Sequence, residues 1–245
     1  MGFVSDLAGT DCVSRCPEPN VSTFAIIGHR GAMAVYPENS LEGFRYLLDN
    51  GIEWAETDLR VNRHGEIVLH HDFVSRRLIP VCFSGRELNA LSLEELLNTL
   101  PELRLNLEIK SHKVMEHLGE IMQFRETPER FIFSSFHHSL ITQLKEAYPQ
   151  IPSLLLMEGA PKNLCGYVEE SGADGLVFQH EFYDPEEIAC LISAGKTVFS
   201  YSVDLIEEAV LFKKMGVSGI ISNHPVKIRD ALRHAEDSSP FRPRG

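Results

Sequence analysis

From about residue 24 to residue 235, short segments with the hydrophobic pattern of a strand alternate with longer segments with the hydrophobic pattern of a helix. Short runs rich in β-branched and aromatic residues predict strands, and these end near Gly28, Asp58, Ile109, Ser134, Leu156, Phe178, Ser202 and Ser222. Amphipathic stretches between them predict helices over residues 40–50, 93–100, 112–124, 139–148, 163–171, 185–194, 206–215 and 226–235. Eight strand–helix units in about 225 residues predict an α/β fold, the closed (β/α)8 TIM barrel, with an open doubly wound sheet as the alternative.

One apolar run does not fit this alternation. Residues 66–71 have the pattern of a strand, but they follow Asp58 too closely for a crossover helix between parallel strands. The polar stretch at residues 62–65 has the composition of a hairpin turn. We therefore predict a β-hairpin excursion from the second strand, in which Glu56 faces His71.

The same pattern divides the chain into three segments. Residues 1–22 show no clear periodicity and are expected to form an N-terminal arm. Residues 23–236 would form the barrel, with residues 72–91 as a short irregular insertion after the hairpin. Residues 237–245 would be a C-terminal tail. Glycine and proline are scattered without a long linker, which favours a single domain.

Composition narrows the choice of partners and compartment. The formal net charge of −12 argues against nucleic acid, because a phosphate backbone requires a basic surface. Five widely spaced cysteines favour free thiols in a reducing compartment. No apolar run approaches about 18 residues, and the first 20 residues lack the apolar core of a signal peptide. We therefore expect a cytoplasmic protein without stable membrane insertion.

Candidate catalytic and binding residues occur where the predicted strands end. Barrel enzymes have their active sites at the carboxyl ends of their strands. His29 and Arg30 follow the first strand, and they combine a titratable imidazole with a fork of donors suited to phosphate. Glu56 and Asp58 share one face of the second strand, since residues two apart in a strand point the same way. Glu108 stands at the end of the next barrel strand.

Three inward carboxylates must pair with cations or bind a metal ion, because unpaired buried charge is costly. An all-oxygen site suits a hard divalent cation, Mg²⁺ or Ca²⁺, better than zinc. Ordinary ion pairs are the alternative that the residues alone leave open, with Glu108 pairing with Lys110 and Glu56 with Arg30.

Five short motifs occur in one order along the chain. They are His29-Arg30-Gly31, Pro37-Glu38-Asn39, Glu56-x-Asp58, Val68-x-x-His71-Asp72 and Asn106-x-Glu108-x-Lys110. Together they resemble the glycerophosphodiester phosphodiesterase family, and the resemblance covers residues 24 to about 230. It implies a (β/α)8 barrel that hydrolyses glycerophosphodiesters to glycerol 3-phosphate and an alcohol with the help of a divalent metal ion.

The resemblance also implies a role for each residue at a matching position. His29 and His71 would be the general acid/base pair. Arg30 would bind the phosphate, and Lys110 would contact phosphate or substrate. The metal ligands would be the three carboxylates, Glu56, Asp58 and Glu108.

The chain departs from the family's pattern over residues 60–64, which lack the usual Thr and Asp before the turn glycine, in a short insertion, and at two single positions. Tyr201 stands where the family usually has tryptophan, and Asn223 stands where an aspartate is common. An aromatic ring at the exit of a barrel strand can pack on a glycerol or alkyl group, so Tyr201 is predicted to bind substrate. These departures leave the proposed metal ligands and acid/base groups in place, and they bear on substrate choice.

Two other functions stay open from the sequence. A lipid-directed phospholipase of the lysophospholipid or phosphoinositide type could use the same barrel, and it would need an apolar rim facing the membrane. A barrel that binds a phosphorylated ligand without turnover is the non-enzyme alternative, against which the two histidines and three carboxylates argue. The predicted partner is a small-molecule glycerophosphodiester, and the sequence leaves its head group, the metal and the oligomeric state unspecified.

Overall fold

The computed structural model describes residues 24–72 and 90–237. Its strands are β1 (Ala25–Gly28), β2 (Trp54–Val61), β3 (Ile67–Leu69), β4 (Arg104–Ile109), β5 (Phe131–Ser135), β6 (Ser153–Met157), β7 (Gly175–Gln179), β8 (Thr197–Tyr201) and β9 (Gly219–Ser222). Their order is β1-β9-β8-β7-β6-β5-β4-β2-β3, and a parallel pairing of β1 with β2 closes the ring. Within the described residues, eight parallel strands therefore form a closed barrel, as predicted.

The helices lie between the strands along the chain. They are α1 (Leu41–Asp49), α2 (Leu93–Thr99), α3 (His112–Leu118), α4 (Gln123–Glu126), α5 (His138–Ala147), α6 (Leu164–Glu170), α7 (Pro185–Ser193), α8 (Ile206–Met215) and α9 (Pro225–Asp237). The predicted helix over residues 112–124 is wrong as one element, because it is interrupted near Gly119, a poor helix former. Ser40 and Ser92 cap α1 and α2 by accepting hydrogen bonds from backbone N–H groups three residues later.

Side chains that point into the barrel form their own apolar cluster, separate from the larger one that packs strands against helices. The inner cluster consists of Ala25, Ile27, Trp54, Ile132, Leu154, Leu156, Val177, Phe199 and Ile221. Because residues two apart in a strand face the same way, the inward positions beyond this cluster include His29, Glu158 and Tyr201. The apolar layer thus ends where the polar side chains of the barrel mouth begin.

The hairpin excursion is confirmed, but its predicted register is wrong by one residue. β3 pairs antiparallel with β2, with Leu59 opposite Leu69, and the His70 N–H donates to the Asp58 carbonyl oxygen at 2.9 Å. The Asn62 N–H donates to the Glu66 carbonyl oxygen at 3.0 Å, which leaves three residues, 63–65, in the turn. Gly65 there adopts a φ of 86° that few other residues tolerate. Glu56 therefore does not face His71, which follows the end of β3.

At Gly175 the backbone of β7 approaches β8 so closely that a Cβ atom would lie 1.8 Å from the Thr197 carbonyl oxygen. We expect Gly175→Ala to lower the free energy of unfolding by about 1–3 kcal/mol or more, because overpacking forces the two strands apart. The matched control is Gly119→Ala, since a Cβ there meets no described atom within 4 Å. Chemical denaturation measures both variants, and equal stability would contradict the packing argument.

The prediction of free thiols is wrong for one pair of cysteines. Cys165 in α6 and Cys190 in α7 form a disulfide, with their Cα atoms 6.1 Å apart. Their separation of 25 residues hid this proximity, because consecutive helices of a barrel pack side by side although a strand lies between them in sequence. Cys12, Cys16 and Cys82 lie outside the described residues.

Some predictions concern parts of the chain that the structure does not describe. The N-terminal arm, residues 73–89 of the insertion and residues 238–245 of the tail lie outside the described residues. Between residues 24 and 72 and between 90 and 237, no helix is both long and apolar enough to cross a membrane. The cytoplasmic location stays a prediction.

Candidate active site

A cavity of about 250 Å³ opens at the carboxyl ends of the barrel strands, and we call it the mouth cavity. Its lining residues are His29, Arg30, Glu56, His71, Asn106, Glu108, Lys110, Ser134, Phe136, Leu156, Glu158, Tyr201, Ser202 and Ile221. All the site residues predicted from the sequence are in this lining except Asp58, whose carboxylate pairs with Arg30 and Lys110. The structure therefore brings the predicted site residues together at one place.

The turn after β1 holds Arg30 by its backbone as well as its side chain. Arg30 has a φ of 48°, a left-handed conformation that is unusual for a residue with a side chain. Its backbone N–H donates to Glu56 Oε2 at 3.1 Å, and its carbonyl oxygen accepts from the Asn39 N–H at 2.8 Å. The guanidinium lies 2.6 Å from Glu38 Oε2 and 3.3 Å from Asp58 Oδ2. These contacts fix the arginine at the edge of the cavity.

Glu56, Asp58 and Glu108 form a buried acidic cluster at the ends of β2 and β4. Asp58 and Glu108 are direct neighbours in the parallel register of the two strands. One carboxylate oxygen from each of the three residues lies within 4.8 Å of the others, and all three side chains are buried. This separation allows the three oxygens to bind one ion together.

Two cations accompany these three carboxylates. Lys110 Nζ lies 3.0 Å from Asp58 Oδ1 and 2.6 Å from Glu108 Oε1. Burial alone would raise the pKa of Asp58, but Lys110 and Arg30 outweigh it and lower that pKa. The predicted pairing of Glu108 with Lys110 is therefore present, although it leaves the cluster one positive charge short.

Because the cluster is buried and has three carboxyl groups but only two cations, the pKa values of Glu56 and Glu108 are raised. Burial, with the neighbouring charges of Asp58 and Glu108, raises the pKa of Glu56 well above its usual range. Burial likewise raises the pKa of Glu108 to about 7. Both pKa shifts indicate that Arg30 and Lys110 do not fully neutralise the negative charge of the ionised cluster. A hard divalent cation fits this all-oxygen donor set and would supply the missing positive charge.

A chain of hydrogen bonds behind the cavity orients His29. His29 Nδ1 donates to Asn223 Oδ1 at 2.6 Å, and Asn223 Nδ2 donates to Asp204 Oδ2 at 2.6 Å. Asp204 also accepts from the Asn223 backbone N–H at 2.8 Å and from Ser222 Oγ at 2.9 Å. The amide can therefore present only its oxygen to the imidazole, which places the ring proton on Nδ1 and leaves Nε2 free to accept a proton.

Asp204 is a site residue that the sequence motifs did not reveal, and Asn223 stood out in them only as a departure from the family's pattern. Asp204 follows β8 and Asn223 follows β9, so each occupies a strand exit that could have marked it as a candidate. Burial and the adjacent Arg30 lower the pKa of His29, which favours the neutral imidazole. His29 Nε2 lies 3.8 Å from Glu56 Oε2, at the edge of the acidic cluster.

His71 enters the mouth cavity from the segment after β3. Its Nδ1 lies 2.9 Å from Asp72 Oδ1, and the Arg60 guanidinium donates to its carbonyl oxygen at 2.7 Å. These bonds hold the backbone and one ring nitrogen, so Nε2 is the nitrogen left for proton transfer. The two histidines line the same cavity from different elements of the barrel.

Several polar groups at the cavity have no partner within the described residues. Asn39 is satisfied, since it donates to Asp58 Oδ2 at 3.3 Å and accepts from Thr57 Oγ1 at 2.7 Å. The buried side-chain amide of Asn106, the Ser134 hydroxyl and the Tyr201 hydroxyl have no described hydrogen-bond partner. Because buried polar groups are normally hydrogen-bonded, these three are candidates to bind a polar ligand.

Comparison with known sequences identifies the family of this chain. The sequence profile of the glycerophosphoryl diester phosphodiesterase family matches residues 29–124 and 102–227, which together span most of the barrel. The chain belongs to this family. As a family member, it is an enzyme that hydrolyses glycerophosphodiesters, as the sequence motifs predicted.

Relatives and solved structures agree with the family assignment. The chain is 26% identical over 245 residues to a glycerophosphodiester phosphodiesterase of Caldanaerobacter subterraneus subsp. tengcongensis, covering 85% of this chain and 97% of that protein. A phosphodiesterase of Oleispira antarctica, solved with its product sn-glycerol-3-phosphate, is similar in fold with a TM-score of 0.75 and 21% identity. That match covers 85% of this chain and 96% of the other.

Proposed function

We propose that the mouth cavity hydrolyses small glycerophosphodiesters to glycerol 3-phosphate and an alcohol, with a divalent metal ion and two histidines. The observation that carries this proposal is the convergence of His29, His71, Arg30 and Lys110 with the acidic cluster on one cavity of about 250 Å³. A cavity of this size suits a small polar metabolite, because drug-sized ligands occupy about 300–1,000 Å³.

The acidic cluster would hold the cation, Mg²⁺ or Ca²⁺. When bound, the ion would supply positive charge that stabilises the negative charge on the phosphate oxygens. Arg30 and Lys110 would bind the same phosphate group, because both cations line the cavity beside the cluster. Arg30 can use its planar fork of donors for two oxygens, whereas Lys110 acts as a point charge.

His29 would act as the general base in the first step and His71 as the general acid. A neutral His29 with its proton held on Nδ1 can accept a second proton at Nε2, which supports the basic role. His71 would donate its proton to the oxygen of the leaving alcohol as the phosphorus–oxygen bond breaks. The buried amide of Asn106 and the Ser134 hydroxyl would bind the glycerol hydroxyls.

We propose that the substrate's own C2 hydroxyl is the nucleophile. His29 would take its proton as the hydroxyl oxygen bonds to phosphorus, which forms a five-membered cyclic ester and releases the alcohol. Water would then open the ester with the two histidines in reversed roles. An intramolecular nucleophile gains the entropy advantage of proximity, which can be worth several kcal/mol, with about 7–11 kcal/mol as the upper range.

A substrate analogue with hydrogen in place of the C2 hydroxyl tests this route. We expect it to bind with similar affinity and to be cleaved at least about 100-fold more slowly, because the proximity advantage is lost. Competitive inhibition measures its affinity, and release of the alcohol measures its turnover. Cleavage at nearly the natural rate would identify water as the nucleophile and exclude the cyclic ester.

A lysophospholipid substrate is a second candidate, favoured by apolar side chains around the mouth. Val35, Tyr36, Phe182 and Leu205 are exposed on the loops that follow β1, β7 and β8. Such residues could contact an acyl chain that extends beyond the cavity.

One assay separates the proposed functions. The protein is incubated with Mg²⁺ or Ca²⁺ and either glycerophosphocholine or micellar lysophosphatidylcholine, and the phosphate-containing product is identified. Formation of glycerol 3-phosphate from glycerophosphocholine supports the main proposal, and preferential cleavage of the lysolipid supports the second. Binding of either compound without turnover would indicate a non-catalytic barrel.

A further inference from the structure

The two sides of the mouth cavity differ in charge. Arg30 and Lys110 stand on the side formed by β1, β2 and β4, together with the histidines and the acidic cluster. The opposite side, formed by β5, β6 and β8, contributes Phe136, Glu158 and Tyr201. Apart from Ser134 of β5, proposed above to bind a glycerol hydroxyl, this second side supplies no metal ligand and no group proposed for proton transfer, so Phe136, Glu158 and Tyr201 are available to bind another part of the substrate.

Phe136 and Tyr201 form an aromatic corner on the second side. Their ring centroids lie 6.3 Å apart, and their planes meet at 79° in an edge-to-face arrangement. Phe136 is 42% exposed although it lies at the cavity, and the Tyr201 hydroxyl is buried without a described hydrogen-bond partner. Much of the Phe136 side chain is thus open to a ligand rather than covered by the protein's own side chains.

Glu158 adds a carboxylate to the lining that these two rings share. It follows β6 by one residue, is exposed, and forms no ion pair with any residue that the structure describes. Burial, followed by the charge of Glu158, raises the pKa of Tyr201, which indicates that the carboxylate acts on the same corner. Aromatic rings next to a carboxylate are the groups that recognise ammonium ions.

Resting on the proposed function, we propose that Phe136, Glu158 and Tyr201 form a subsite for the cationic alcohol group of the substrate. The ligand class is a glycerophosphodiester whose alcohol carries a primary or quaternary ammonium group. The phosphate of such a zwitterion would face Arg30 and Lys110, while its ammonium group would face the opposite side of the cavity. The two sides thereby fix the direction in which the diester binds.

The energetic basis is a sum of modest attractions. A cation over an exposed aromatic face gains about two- to fivefold in affinity, and an exposed ion pair adds about 1.4- to fivefold. Together these two attractions should make the subsite favour a cationic over an uncharged alcohol group by about three- to thirtyfold.

The first experiment compares Glu158→Gln with the unaltered protein on three substrates. These are glycerophosphocholine, glycerophosphoethanolamine and glycerophosphoglycerol, whose alcohol group carries no charge. Because the variant loses only the ion pair, we expect it to raise KM by about two- to fivefold for the two substrates with a cationic alcohol group and to leave KM for glycerophosphoglycerol unchanged. The value of kcat should change little for all three, because Glu158 is neither a proposed metal ligand nor a group proposed for proton transfer.

A matched control distinguishes binding of the ammonium group at the subsite from long-range electrostatic attraction by an acidic protein. Glu181→Gln removes the same charge from the loop after β7, at an exposed residue that does not line the mouth cavity. We expect it to leave unchanged the ratio of KM values between substrates with a cationic alcohol group and glycerophosphoglycerol. If both variants change that ratio equally, the effect is long-range electrostatics and the subsite is wrong.

A second experiment tests the role of charge without any substitution. Choline and its uncharged isostere 3,3-dimethylbutanol have the same shape, so their inhibition constants against glycerophosphoglycerol cleavage differ only through the positive charge. We expect choline to inhibit more strongly, and Glu158→Gln and Phe136→Leu to reduce the difference. Equal inhibition by the two compounds in the unaltered protein would overturn the subsite. Absence of turnover on all three diesters would instead overturn the proposed function.

Discussion

Replacement of His29 by glutamine is expected to lower kcat by about 10²- to 10⁴-fold, the usual contribution of a general acid or base. Glutamine keeps a polar side chain near Asn223 but cannot accept a proton from the nucleophile. We expect KM to change much less than kcat, because Arg30 and Lys110 rather than His29 are proposed to bind the phosphate. Steady-state kinetics on glycerophosphocholine measures both values.

Two further variants complete this test. His112→Gln changes an exposed histidine that does not line the mouth cavity, and it should leave kcat unchanged. Asp204→Ala should lower kcat by about 10- to 100-fold, because the Asn223 amide is then free to turn and the His29 tautomer is no longer fixed. A His29 variant that retains full kcat would exclude the proposed proton transfer.

Removal of divalent metal is expected to abolish activity, and Mg²⁺ or Ca²⁺ should restore it. Replacing Glu56 or Glu108 by glutamine should weaken metal binding by at least about 100-fold, since substitutions behind a ligand already cost about 10- to 100-fold. Calorimetric titration of metal into the protein measures this affinity directly. Full activity in excess chelator would exclude metal-assisted hydrolysis.

The thermal stability of the same variants gives a readout that does not depend on activity. Metal at about 100 times its Kd should stabilise the unaltered protein by about 2.7 kcal/mol, and this gain should be lost in Glu56→Gln. Without metal, Glu56→Gln should not be less stable, because the raised pKa of Glu56 shows that its ionised form is disfavoured in the folded state. Glu146→Gln, at an exposed position of α5, is the matched control and should keep the metal-induced shift.

The barrel itself could be predicted from the sequence because its signal is local and repeated. Each strand carries a short apolar run, each helix an amphipathic one, and the predicted helix ends agree with the structure to within two residues except around Gly119. The exits of the strands then identified His29, Glu56 and Glu108, since every parallel strand of a barrel presents its carboxyl end at the same mouth.

The hairpin register shows where a local pattern stops being sufficient. Its antiparallel direction followed from the short distance between two apolar runs, but its register depended on whether the turn holds two or three residues. Gly65, with its positive φ, lengthens the turn and moves His71 beyond the ladder. Composition alone does not distinguish these two turns, because both accept a glycine and polar neighbours.

The sequence by itself determined the fold class, the family and the identity of the groups proposed for chemistry. Only the tertiary structure decided how those groups are held and what else surrounds them. The bond from His29 to Asn223 spans 194 residues, and the disulfide joins two different helices. The corner of Phe136, Glu158 and Tyr201 likewise combines three separate strands. Such contacts arise when the barrel closes, so no periodicity or spacing along the chain encodes them.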